Sequence, residues 1–180
     1  MYETLAHEGY PGHLYFFNYV KQQGWHPINF FVSNIGFEEG WAEYAARLSL
    51  DSWGLDPDMM EVIFLDQEFS YLLMGLSDIG INYGGWTVDD VYDLWETYFY
   101  LDSAEDVRDV YDACMAEPGT ILSYSIGYYQ ICDLEEEVKE MLGESFDHNE
   151  FVTELLSVGG ASFDITRSYI MEWANEQLHG

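Results

Sequence analysis

His7-Glu8-Gly9-Tyr10-Pro11-Gly12-His13 is the stretch on which the reading of this chain turns. Two imidazoles bracket a carboxylate that directly follows the first of them. That is the toolkit of a zinc hydrolase: two neutral nitrogen ligands, and a general base beside a metal-bound water. The familiar form, H-E-x-x-H, sits on a helix with its histidines four apart. Here they are six apart, and Pro-Gly stands between them. Four helical steps turn a side chain by about 40°, whereas six turn it by about 240°, which would carry His13 behind His7. A kink or bulge at Pro11-Gly12 that absorbs two residues would bring the imidazoles together, since Pro lacks an amide proton and Gly tolerates unusual dihedrals. The competing reading is that Pro-Gly ends one helix and starts another, with both histidines merely near the turn.

A second acidic cluster follows. Phe37-Glu38-Glu39-Gly40-Trp41-Ala42-Glu43-Tyr44 opens a helical pattern that runs through Leu48 and Leu50. Glu39 and Glu43 are four apart and share a face, which Arg47 extends by another turn. A third ligand supplied by a separate, later helix is the arrangement of zincins whose third ligand is glutamate. A solvated Glu–Arg ladder gives the same pattern. Gly40 separates the two, because Gly costs ~1 kcal/mol relative to Ala inside a helix. It predicts an element packed closely against that turn.

The period is helical along nearly the whole chain, so the fold class expected is all-α, in a single domain over residues 1–180. Residues 2–23 carry the first motif across its break and 37–52 the acidic helix. Asp56-Pro57 starts a long helix to about Asp78, and Gly80–Gly85 is a turn leading to Thr87, an N-cap. Ser103 to Asp106 cap a short helix, and Thr120–Met141 forms a long one after Pro118-Gly119. Asp147 caps the next, and Ser162–Leu178 is the last. Residues 26–36 leave room for a short hairpin.

Thirty-four acids against five Lys plus Arg give a formal net charge of −29, which excludes a phosphate-backbone partner or an anionic membrane. No apolar stretch reaches the ~18 residues of a membrane span. The best, Val62–Leu76, is broken by Asp66, Gln67 and Glu68. With 48% hydrophobic residues the chain reads as a soluble folded unit rather than a disordered one. Its 18% aromatic content has two readings, rings that build the core and rings that face a covering half. Cys114 and Cys132 lack metal or disulfide spacing and read as buried reduced thiols. His26, His148 and His179 have no ligand-like spacing and read as surface or capping residues.

TLAHEGYPGH (4–13), EGWAEYAARL (39–48), SDIGINYGGWT (77–87), PGTILSYSIG (118–127) and LGESFDHNEF (142–151) together resemble, in the family's order, the DUF885 family of bacterial proteins. That family is read as large, mostly helical metallopeptidases of the glutamate-zincin type. The resemblance implies a multi-helix catalytic half of a zincin-like peptidase, with Zn2+ held by His7, His13 and Glu39 and with Glu8 as general base. It leaves Glu43 as a partner of a ligand or an alternate ligand. It puts Tyr124 at the position of an oxyanion donor, with Tyr128 one turn on as the alternate. Ser125 and Ala46 depart from the family pattern, which touches substrate contacts rather than the ligands.

The same resemblance implies a bacterial source and peptide substrates. It also implies that these residues are the C-terminal catalytic portion of a longer protein, with an N-terminal half or a second copy covering the aromatic cleft face. The chain shows no signal peptide after Met1. Two further functional readings stand beside the peptidase: a truncated fragment that binds metal without catalysis, and an acidic helical interaction module without metal.

Overall fold

The computed structural model of the chain describes residues 2–24, 28, 32 and 34–179, with the backbone alone at Asp51. Among these residues every regular element is a helix, as the periodicity predicts. They are α1 (Tyr2–Glu8), α2 (His13–Gln22), α3 (Ile35–Leu48), α4 (Pro57–Asn82), α5 (Val88–Trp95), α6 (Arg108–Ala116), α7 (Thr120–Leu142), α8 (His148–Val158) and α9 (Phe163–His179). Short 3-10 turns occupy Leu50–Trp53, Ala104–Val107 and Gly143–Ser145. The proposed hairpin falls largely outside the described residues, and α3 begins within its range at Ile35. No helix among the described residues is long and apolar enough to cross a membrane.

Side-chain caps set several of these ends. The Asp56 carboxylate accepts from Asp58 N ahead of Pro57, and Asp147 accepts from Asn149 N and Glu150 N. Thr87 and Asp90 form a reciprocal capping box at the start of α5. Asn34 accepts from Phe37 N and so starts α3 two residues ahead of the sequence expectation. α4 also outruns its expected end, continuing through Gly80 to Asn82. The Trp86 ring lies where a Cβ on Gly80 would stand, and Trp86 N donates to the Gly80 carbonyl at 3.0 Å, so tertiary packing carries the helix through a residue that reads as a breaker.

The chain forms two compact units, one of Met1–Gly54 with Ile126–Gly180 and the other of Leu55–Ser125. In the first, α3 packs against α1 and α2, and α8 packs against α2 and α9. Its core is built from Phe16, Phe37, Trp41, Ile131, Phe151 and Ile170 among others. The Gly40 expectation is met here: a Cβ on Gly40 would lie 2.6 Å from the Cα of Gly127, so α3 and α7 touch backbone to backbone. The second unit packs α4 against α5 and α6 around Ile81, Val91, Val107 and Cys114. In it, buried Asp78 accepts from Gly119 N at 2.8 Å and from Asn82 Nδ2 at 2.9 Å, tying the approach to α7 onto α4. Both cysteines are free, Cys114 buried and Cys132 half-buried rather than fully inside.

Candidate metal centre

Helix α1 ends at Glu8, Gly9–Gly12 form turns, and α2 starts at His13. The histidines therefore sit on two helices rather than on one kinked helix, which corrects the expected bulge. Gly12 N donates to the Ala6 carbonyl at 2.8 Å, folding the chain back by almost two turns, and Phe16 N donates to the Gly12 carbonyl, 3.0 Å away, as the new helix begins. The Tyr10–Pro11 peptide is cis. Gly12 is buried so tightly against the carbonyls of His7 and Ala6 that no Cβ fits there. The consequence is the convergence that the spacing calls for: the His7 and His13 rings lie 4.8 Å apart with their planes at 88°.

Glu39 arrives from the first turns of α3. Its Oε2 lies 3.3 Å from His7 Nε2 and 3.3 Å from His13 Nε2. Donor atoms of the three residues all fall within 4.8 Å of one another. Glu43, one turn further along α3 and buried, puts Oε1 2.9 Å from His7 Nδ1. Phe17, four residues after His13, stacks on its ring with centroids 6.1 Å apart. Phe17 belongs to no motif of the sequence, although its i,i+4 spacing from His13 is a signal that marks it.

The set fits a zinc ion on the chemistry of its donors and on their spacing. Tetrahedral zinc with bonds of about 2.0–2.1 Å sets neighbouring donor atoms about 3.3–3.4 Å apart. Glu39 Oε2 stands at that separation from both nitrogens, yet is aligned for a hydrogen bond with neither. His13 Nδ1 is likewise buried without a hydrogen-bond partner. Two nitrogens and one carboxylate oxygen leave room in a four-coordinate shell for a further ligand.

Electrostatics hold the metal-free cluster together as an ion pair. Burial disfavours charge on His7, but the carboxylates of Glu39 and Glu43 beside it outweigh that and push its pKa up to about 9. Burial works against Glu39 in the same way, and the imidazoles of His13 and His7 overcome it, holding its pKa down to about 2. A proton on His7 and a metal ion thus compete for the same site.

The other sequence-derived positions divide between the two units. Glu8 is the last residue of α1, directly after His7, and is exposed. Tyr128 belongs to the first unit and packs, half-buried, on its core, with its ring 5.4 Å from Tyr129. Tyr124 belongs to the second unit, where its ring lies 5.2 Å from that of Tyr71.

His148 opens α8, with Nδ1 2.9 Å from Glu135, a carboxylate that also binds Lys139 at 2.8 Å. Tyr44 is buried beside this group, and burial together with the Glu135 charge drives its hydroxyl pKa up. Nothing local in the sequence signals that grouping, because its members come from three helices. His179 is exposed at the end of α9, and His26 lies outside the described residues.

Over 97% of its length the chain is similar in fold to the crystal structure of a candidate lipoprotein from Colwellia psychrerythraea, with a TM-score of 0.81 at 24% identity. Over 94% it is similar to a candidate lipoprotein of unknown function from Shewanella oneidensis, with a TM-score of 0.77 at 23% identity. It spans 30% and 31% of those two chains, respectively. No curated protein matches it. Residues 1–170 match the bacterial proteins of unknown function designated DUF885, and the chain belongs to that family.

Proposed function

We propose that the chain carries the site of a zinc-dependent peptide hydrolase, in which His7, His13 and Glu39 hold the cation and Glu8 moves the proton. The observation that supports this most directly is the position of Glu39 Oε2, 3.3 Å from the Nε2 atoms of both histidines. When bound, zinc supplies a Lewis acid that acidifies water and polarises a carbonyl. Glu8, beside His7 and open to solvent, takes the proton from the attacking water and passes it to the leaving amine nitrogen. Glu43, against His7 Nδ1, keeps the opposite ring nitrogen turned toward Glu39. Tyr124, on the strength of the resemblance to DUF885 members, donates its hydroxyl to the carbonyl oxygen as charge develops there, a contribution of ~3–4 kcal/mol when well placed. Tyr128 is the alternate donor.

A Glu8→Gln variant tests the assignment. Elemental analysis should find about one zinc per chain in the wild type and in the variant, while the variant loses hydrolysis of a peptide library. Full hydrolysis by Glu8→Gln would refute the base, and absence of zinc after dialysis against it would refute the metal centre. A second reading, metal binding without hydrolysis, is favoured by one observation: the chain spans 30% of the Colwellia protein. Zinc uptake by a wild-type chain that cleaves nothing is its signature.

A further inference from the structure

Helix α4 is apolar on two faces. One face, which includes Leu73 and Ile81, is buried in the second unit. The other reads Val62, Leu65, Phe69, Leu72, Leu76, Ile79 and Tyr83, a strict 3-4-3-4-3-4 spacing. That is the a/d repeat of a coiled-coil seam. Val62 is 64% exposed, Leu76 51% and Ile79 47%, and Tyr83 is almost fully exposed. Phe69 is half-buried, its ring 5.1 Å from Tyr98, and Tyr98 and Phe99 are themselves exposed and widen the strip at its middle. A contiguous apolar strip left exposed along a helix marks an interaction site. At 26 residues, α4 spans ~39 Å, enough for three full heptads.

We propose that this seam docks an amphipathic helix of another polypeptide, one with apolar residues at the same 3-4 repeat and with lysine or arginine on its flanks. Charge selects this occupant. α4 contains no Lys or Arg, and the heptad positions beside the seam include Glu61, Asp66 and Glu68. A second copy would bring the same acids and another net charge of −29 against them, a like-charge juxtaposition. A helix lying on a membrane carries Lys and Arg along its polar face, and α4 has neither.

The test uses the purified chain and a fluorescent synthetic peptide of four heptads, with leucine and isoleucine at the seam and lysine on the flanks. Anisotropy should show saturable binding, weakened at least about tenfold by the double change Leu76→Glu and Ile79→Glu. Attraction by net charge alone would survive or strengthen in that more acidic variant, so undiminished binding overturns the seam. Should the double variant lose its helical circular dichroism, the same loss is read from Val62→Glu, a more exposed position. A peptide with glutamate flanks should bind at least about tenfold more weakly; equal binding overturns the charge selection. Sedimentation of the chain alone should give a 20.9 kDa monomer at low and high salt, and flotation with phosphatidylcholine vesicles should leave it unbound. A dimer that Leu76→Glu dissociates, or cofloating chain, would each overturn the proposal by naming a different occupant.

Discussion

The carbonyl oxygen of His7 fills the space that a Cβ on Gly12 would need. His7 thus dictates the residue that delivers His13, because the Gly12 amide must reach the Ala6 carbonyl at 2.8 Å for α2 to start at His13. Gly12→Ala cannot keep this turn: its Cβ would also meet the Ala6 carbonyl oxygen at 2.6 Å, and both obstacles are backbone. The expected result is a fold weakened by about 1–3 kcal/mol, as for an overpacked site, with His13 moved out of reach of Glu39. Zinc affinity, read by competition with a chromophoric chelator, should fall at least about tenfold while the helical circular dichroism persists. Wild-type affinity in this variant would mean that His13 is not a ligand.

Glu43 makes a separate prediction, because it touches His7 and not the shared centre. Its Oε1 lies 2.9 Å from His7 Nδ1, whereas Glu39 faces Nε2. Loss of such an outer partner commonly costs 10–100-fold in metal affinity. Glu43→Gln should therefore weaken zinc by about that factor and Glu39→Gln by more. If Glu43→Gln weakens zinc more than Glu39→Gln does, the two glutamates have exchanged roles and Glu43 is the ligand.

How much of this was legible beforehand depends on the range of the interaction involved. Thr87 with Asp90, Asp56 and Asp147 are caps made within three residues, and local sequence predicts them. The Glu39–Glu43 face follows from helical spacing, and the small residue at Gly40 correctly announces a close neighbour without saying that it is Gly127. The geometry of the first motif was only half legible. Six residues between histidines rule out a straight helix, but choosing a double turn over a bulge depends on the Gly12–Ala6 hydrogen bond, which no residue type encodes. The run of α4 through Gly80 depends on a tryptophan packing back onto it, and the Tyr44, Glu135 and His148 grouping depends on three helices meeting. Those are tertiary facts.

The pH dependence of the metal-free chain follows from its two displaced groups. His7 is raised from an ordinary 6.5 to about 9, so its contribution is complete below 6.5 and is lost as pH rises through 9. Glu39 is lowered from 4.5 to about 2, so its contribution is present above 4.5 and is lost as pH falls through 2. With chelator present, the melting temperature should therefore decline between pH 6.5 and 9. Zinc requires His7 unprotonated, so its stabilisation should grow over the same window. Calorimetry in buffers of different ionisation enthalpy should register proton release on zinc binding near neutral pH. A metal-free melting temperature that climbs across that window would contradict the His7–Glu39–Glu43 pairing.

Gly40 and Gly127 form a close backbone contact between α3 and α7 in the first unit. A Cβ on Gly40 would lie 2.6 Å from the Gly127 Cα, and one on Gly127 would lie 2.9 Å from the Gly40 Cα. Neither obstacle is a flexible side chain, so relief requires α3 and α7 to move apart. Alanine in place of glycine favours an isolated helix by ~1 kcal/mol, but overpacking at this contact opposes it at ~1–3 kcal/mol or more. The second effect dominates because the contact is buried on both sides. Gly40→Ala should accordingly destabilise the chain in urea by about 2 kcal/mol or more. Because Glu39 precedes this residue on α3, the same variant should also lose zinc affinity when still folded. A more stable Gly40→Ala would show that intrinsic helix propensity outweighs the packing of α3 on α7.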